Sequence, residues 1–372
     1  MYNIRPTQMG KLIDRHYKAK IPLFVYGGFG IGKSCITRDT AMKIAESRNR
    51  EFVEWNKTTK ETKDKMMKTP EKFFVLFDER LSQYDPTDIR GLPDFINNNG
   101  DKHAEWRIPL WLAYNTHKDA DGVIFFDEMN QAPPSIQNAC FQVLHDREVA
   151  EYKLNDNVLI IACGNRLEDK AHIHDMPLPL RDRMSEVELT LDDESWFEWA
   201  FKNDIDSRLI VFLKFKPSYL YKVESDRNMK STTPRGIEQT SVLINDLKED
   251  IDMKDLVSGR LGEAFATELM AFLKLQRKIN IADIIKNPKK VKGITEIDLR
   301  FSLISGVLEF YKKDRKKHIE ALSMIAEYFP PEFATLQLKL MKAEDKNFFK
   351  QNIIKCKNWD KLATEFGKYL LD

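Results

Sequence analysis

The sequence predicts an α/β protein, with a parallel sheet flanked by helices over its first half and helices alone thereafter. Two patterns predict this. Short apolar runs alternate with amphipathic stretches up to about residue 191, and the apolar spacing then changes to three and four. A third feature marks the ligand side of the sheet: a glycine-rich loop follows the first clear apolar run and opens a helical stretch.

Five strands are expected in order: PLFVY (22–26), KFFVLF (72–77), GVIFF (122–126), NVLIIAC (157–163) and SEVELTL (185–191). Each is short, rich in Val, Ile, Leu and Phe, and bounded by polar or Gly/Pro residues, as strands covered on both faces tend to be. The amphipathic stretches between them supply the right-handed crossovers of a parallel sheet. Beyond 191, LIVFLKF (209–215) and ELMAFLKL (268–275) carry helical spacing. The expected division is an α/β core over 1–191, a helical part over 192–275 and a further helical part over 276–372.

Three stretches stand apart. Residues 54–72 are charge-dense and poor in large apolar groups, so they read as an inserted surface segment. Residues 276–296 are Lys-rich and contain Pro288, which reads as a linker, and KKDRKKH (312–318) reads as the solvated face of a helix. The acid pair Asp192-Asp193 reads as a helix start, where acids meet the helix dipole.

Composition narrows the class. The 372 residues suit roughly two to three domains, and 42% hydrophobic with 31% charged residues is ordinary for a globular chain. Fifty-nine Lys+Arg against 58 Asp+Glu leave a net charge of +1, which argues against a chain that coats nucleic acid. No apolar run reaches the ~18–20 residues of a membrane span. The start, MYNIRPTQMGKLIDRHYK, lacks the apolar centre of a signal peptide. Cys35, Cys140, Cys163 and Cys356 form no CxxC pair, which points away from a disulfide framework or zinc knuckle and towards a reducing, cytoplasmic compartment.

The chemistry concentrates at the expected strand ends. Gly27-Gly28-Phe29-Gly30-Ile31-Gly32-Lys33-Ser34 fits the phosphate-loop pattern G-x-x-x-x-G-K-[ST], with a strand leading in and a helical run from Cys35 leading out. Glycines let backbone N–H groups curl around phosphates, and the helix start adds partial positive charge. Lys33 is expected to neutralise the phosphates and the Ser34 hydroxyl to ligate Mg²⁺. GVIFFDEMN (122–130) ends a strand in two acids: Asp127 is expected to hold Mg²⁺ through its water shell, and Glu128 to act on the attacking water as base or positioner. IIACGNR (160–166) ends a further strand in Asn165, whose amide is expected to orient that water. The expected ligands are therefore a nucleoside triphosphate and Mg²⁺, the nucleotide being held by residues 27–35 and Asp127.

Two arginine-bearing stretches follow, PLPLRDRM (177–184) and TPRGIEQT (233–240). In this order the ensemble resembles an AAA+ ATPase, and within that group the MoxR-type branch with its bacterial and phage-encoded members. The likeness rests on RLSQYDPTDIRGLPDF (80–95), DEMNQAPPSIQNACFQVLHDREV (127–149) and STTPRGIEQTSVLI (231–244). The resemblance implies a P-loop AAA+ core with a five-stranded parallel sheet, an all-helical lid and a helical C-terminal extension. It makes Lys33 and Ser34 the Walker A pair, Asp127 and Glu128 the Walker B pair, and Asn165 sensor 1. Arg183 looks like the finger that enters a neighbouring subunit's site, Arg181 is the second candidate, and Arg235 looks like sensor 2. The family further implies a ring, usually hexameric, and ATP-driven, chaperone-like remodelling of a protein partner, often one with a von Willebrand factor A domain.

Gly28 and Phe29 depart from the Pro-Pro pair common in this loop. The segment from Arg90 to Trp111 resembles an insertion that lines the ring pore in this clade, although Phe95 and Trp106 read as packing residues rather than pore contacts. His172 and His174 lack a third ligand by spacing and read as surface residues; Cys163 reads as core, and the aromatics of ESWFEWAF (194–201) as helix packing. Two other functional classes compete: a nucleotide-gated scaffold with vestigial hydrolysis, and a nucleic-acid motor, which the balanced charge disfavours. The choice between ATP and GTP stays open.

Overall fold

The computed structural model describes residues 2–98, 101–166, 174–224, 229–245, 247 and 251–370. They fall into two compact units, Met1–Asp192 and Asp193–Asp372.

The first unit alternates strands and helices. It begins with β1 (Tyr2–Ile4), α1 (Pro6–Ala19), β2 (Leu23–Tyr26), α2 (Lys33–Ser47), β3 (Glu51–Glu54), α3 (Lys60–Lys68) and β4 (Phe73–Arg80). It continues with α4 (Thr87–Arg90), β5 (Leu92–Asn98), β6 (Asp101–Arg107), α5 (Leu110–Asn115), β7 (Gly122–Asp127) and α6 (Pro134–His145). The short β8 (Glu148–Val149) and β9 (Tyr152–Lys153) precede β10 (Val158–Gly164), α7 (Leu178–Arg181) and β11 (Ser185–Leu189).

The main sheet has seven strands in the order β1-β11-β2-β10-β7-β4-β3, and every neighbouring pair is parallel. The five expected strands form its middle. The other two are the edges, β1 on β11 and β3 on β4. Edge strands are half solvated, so neither carries an apolar run: of β1 only Ile4 is buried, and β3 is exposed or half-buried throughout. Every residue of central β10 is buried. Buried Asp121, just before β7, accepts from the Tyr17 hydroxyl (2.6 Å) and Arg48 Nε (2.5 Å), with Arg50 Nε at 3.3 Å. One well-bonded carboxylate thus ties α1 and the end of α2 to the sheet.

Residues 54–72 are not a surface insert. Trp55 and Met66 lie in the core, with the Trp55 ring 5.1 Å from Phe77 and 6.0 Å from Tyr114. Two large apolar side chains in a charge-dense stretch suffice to anchor it, while Lys60, Lys65 and Lys68 of α3 stay exposed. β5 and β6 form an antiparallel hairpin separate from the main sheet.

The second unit is helical, as expected from its apolar spacing, with an isolated bridge between Lys222 and Thr232 as its extended pairing among the described residues. Its helices are α8 (Asp193–Ala200), α9 (Ser207–Phe215), α10 (Pro234–Ile244), α11 (Ile251–Leu261), α12 (Glu263–Lys274) and α13 (Ile281–Lys286). There follow α14 (Ile297–Lys313), α15 (Arg315–Tyr328), α16 (Pro331–Glu344), α17 (Lys346–Ile353) and α18 (Trp359–Leu370). Phe212 is buried at the centre of an aromatic group, its ring 5.2–5.7 Å from those of Phe265, Tyr219 and Phe272. Trp196 and Phe197 of ESWFEWAF are buried, as expected.

Two expectations for this half need correction. The stretch 276–296 holds α13 and a 3-10 turn at Pro288–Gly293, with Ile284 and Val291 buried, so it is packed structure rather than a free linker. KKDRKKH is not one helical face but a junction: α14 ends at Lys313, and the Asp314 carboxylate caps α15 by accepting from Lys317 N (3.0 Å). Among the described residues no helix is long and apolar enough to cross a membrane.

Candidate functional site

The site assembles where β2, β7 and β10 end, the carboxyl edge at which parallel sheets present loops to ligands. The phosphate loop leaves β2 at Gly27, whose N–H donates to Gly164 O of β10 (3.2 Å). Gly30 (φ 72°) and Gly32 (φ 100°) take left-handed conformations, and Gly32 caps α2. Glycine adopts these two turns without strain, which lets the loop turn from β2 into α2. Lys33 is 8% exposed and donates to the carbonyls of Gly27 (2.6 Å) and Gly28 (3.0 Å). The ammonium arcs over the loop instead of reaching into solvent.

Ser34, in the first turn of α2, directs its hydroxyl at Asp127 Oδ2 at 3.5 Å. Asp127 ends β7 and is half-buried; burial raises its pKa above the usual carboxylate value, against the opposing pull of the Lys33 ammonium. Next to it, Glu128 holds a left-handed backbone (φ 57°, ψ 31°), a conformation that costs a non-glycine residue of order 1–3 kcal/mol. Its N–H donates to Asp127 Oδ1 (3.0 Å), and its Oε2 accepts from the Ser82 hydroxyl (2.6 Å). The strained turn lifts the Glu128 carboxylate off the strand and hands it to the loop after β4.

Asn165 follows β10 and is half-buried. Its main chain is gripped on both sides by buried Asn130: Asn130 Nδ2 donates to Asn165 O (2.7 Å), and Asn165 N donates to Asn130 Oδ1 (3.1 Å). This clamp needs Gly164, because a Cβ there would fall 2.4 Å from Asn130 Oδ1. On β4, Asp78 stands in register with Phe125 and Arg80 with Asp127. Burial, then the Asp127 charge, raises the Asp78 pKa, and its Oδ1 is buried without a hydrogen-bond partner.

The structure separates the expected arginines. Arg181 grips Glu186 with two bonds, Nε at 2.8 Å and Nη2 at 2.7 Å, and the Tyr26 hydroxyl donates to the same carboxylate (3.2 Å). That pairing raises the Arg181 pKa and lowers that of Glu186. Arg183, two residues on, is exposed. Arg235 belongs to the helical unit, exposed in the first turn of α10, where the Thr233 hydroxyl accepts from Gly236 N (3.1 Å). Cys35 is exposed, and Cys163 is buried as expected, burial pushing its thiol well above the ordinary value.

Phe95 and Trp106 are not packing residues. Phe95 is 84% and Trp106 40% exposed, on the β5–β6 hairpin. A two-stranded ribbon has no second layer to bury its rings. His172 lies outside the described residues, and among those described no group of three or more His, Cys, Asp or Glu could hold a metal. Sequence reasoning missed Ser82, Asn130, Gly164 and Asp78. Asn130 could have been flagged from its place two residues past the acid pair; nothing local marks the others.

No family model matches the chain, and no curated protein matches its sequence. Among solved structures, the chain is similar to NtrX from Brucella abortus, at 15% identity and a TM-score of 0.38, over 91% of this chain and 67% of that one. It is also similar to a DNA polymerase III gamma subunit-related protein from Thermotoga maritima, at 10% identity and 0.30, over 98% and 91%. A third is a point mutant of RuvB from Thermotoga maritima, at 13% and 0.32, over 75% of each chain. NtrX in complex with ADP and with ATP is also among the matches. All of these TM-scores fall below 0.5, so the roles of the residues rest on the site's own geometry.

Proposed function

We propose that the chain is an AAA+ ATPase of MoxR type that hydrolyses ATP to ADP and phosphate and, as a ring, remodels a protein partner. One observation carries this reading: the glycine-turned loop, the Lys33 ammonium folded across it, and Ser34 facing Asp127 at the end of β7, with Glu128 raised beside them. A structural turn needs none of these together.

The donor set suits Mg²⁺. The Ser34 hydroxyl and the Asp127 carboxylate are hard oxygen ligands, and Mg²⁺ takes one or two such protein groups, completing its shell with water and phosphate oxygens. When bound, the ion offsets charge on the phosphates. The chain's own groups do the rest. Loop N–H groups and the α2 start bind phosphate oxygens, Lys33 exchanges its loop carbonyls for them, and Glu128 and Asn165 orient the attacking water. Arg183 fits a finger acting in a neighbouring subunit because it is exposed, whereas Arg181 is already committed to Glu186. Arg235 is assigned as sensor 2, residues 192–275 as the lid and 276–372 as the C-terminal extension. The same reading makes the assembly a homo-oligomer, most simply a hexamer, working in the cytoplasm on a partner such as a von Willebrand factor A domain protein.

A phosphate-release assay on wild type and Glu128→Gln tests the reaction. Turnover in the wild type that the substitution abolishes supports it; equal, negligible rates favour the nucleotide-gated scaffold. Sizing with and without a slowly hydrolysed ATP analogue tests the ring.

A further inference from the structure

The buried, unpartnered oxygen of Asp78 has no role in the account so far. Paired residues of adjacent parallel strands share a face, and side chains alternate along each strand. The register Asp78↔Phe125 and Arg80↔Asp127 therefore places Asp78 and Asp127 on one face of the sheet. It is the face that α2 covers, since Ser34 of that helix reaches Asp127. Two carboxylates thus lie side by side beneath one helix start.

Among the described residues no cation lies within ion-pair distance of Asp78, although the Arg80 charge and, less so, Lys57 oppose the effect of Asp127. Lys57, whose charge reaches Asp78, is held by Glu54 at 2.6 Å, and Glu54 also takes Arg38 Nε at 2.6 Å. Arg80 is exposed at the strand end. Asn56 Oδ1 accepts from the main-chain N–H of Asp78 (3.2 Å), which fixes the residue's position but leaves its Oδ1 unsatisfied. A half-buried acid with one oxygen out of reach of solvent, beside another acid, is unfavourable unless a cation or its hydration shell completes it.

We infer that Asp78 is a second carboxylate of the metal pocket, holding the cation through a water molecule of its shell while Asp127 and Ser34 stand closer to it. This rests on the nucleotide-site reading above. A step of two residues along one strand and one strand across separates the two Cα atoms by about 8 Å. Mg²⁺ is held by one or two protein groups and keeps several waters, and Ser34 and Asp127 already face each other, which leaves Asp78 the contact through the water shell. Asp78 is thus a positioning residue.

The test titrates Mg²⁺, and separately Mn²⁺ followed by electron paramagnetic resonance, into wild type, Asp78→Asn and Asp78→Ala with a slowly hydrolysed ATP analogue. Both variants should require about 10- to 100-fold more metal for half-saturation. Nucleotide affinity measured in EDTA should stay at the wild-type value, and the metal-free melting temperature of Asp78→Asn should match or exceed wild type, since a charge repelled by Asp127 has been removed. Half-saturation within twofold of wild type overturns the inference, as does a lowered metal-free melting temperature with unchanged metal binding, which marks a purely structural acid. If the wild type itself takes up neither nucleotide nor metal, the nucleotide-site reading has failed instead.

Discussion

The two compact units bury their apolar surface by different geometries, and chemistry follows the geometry. In the unit 1–192 every central strand runs the same way, so polar residues that end β2, β7 and β10 meet at one edge. In the unit 193–372 helices pack side to side, and of the expected site residues it carries Arg235 alone. A parallel sheet gathers distant sequence positions at one edge.

The sharpest way to break that contrast is at the loop. Lys33→Ala should lower turnover by about 10²–10³-fold or more and weaken nucleotide uptake, read by phosphate release and calorimetry. Little change would mean that the sheet edge is not where the chemistry sits. Arg183→Ala should leave nucleotide binding intact and reduce turnover by about 10³-fold; normal hydrolysis would reject the finger. For the helical unit, Phe212→Ala removes a fully buried ring and should cost about 3–5 kcal/mol in urea unfolding, with nucleotide uptake by the folded protein retained.

The smallest effect separates the neighbouring arginines. Arg181 is partly exposed, so Arg181→Ala should cost under about 1 kcal/mol. It also has a pH signature. The Arg181 hydrogen bonds depress the Glu186 pKa from its ordinary 4.5. The stability they confer is therefore present above that value and lost as pH falls through the depressed one. Acid unfolding curves of wild type and Arg181→Ala should differ at neutral pH and converge in strong acid.

How much of this was legible in the sequence follows from what each residue does. The central strands announced themselves because burial on both faces demands continuous apolar runs. β1 and β3 did not, since an edge strand such as Glu51–Glu54 needs only half its surface covered. The phosphate loop was readable because its constraint is local: glycines at fixed turns, then a lysine and a hydroxyl. Ser82 and Asp78 were unreadable because their value comes from strand register, which brings β4 alongside β7 only after folding. Phe95 and Trp106 misled for the converse reason: large rings normally signal a core, and the hairpin that carries them provides none.

The amide of Asn130 leaves no slack between two strand tips. A Cβ at Gly164 would fall 2.4 Å from Asn130 Oδ1, so the link depends on glycine there, and its two hydrogen bonds tie the turn after β7 to the peptide of Asn165. The turn that carries Glu128 and the peptide of Asn165 are therefore joined through one side chain.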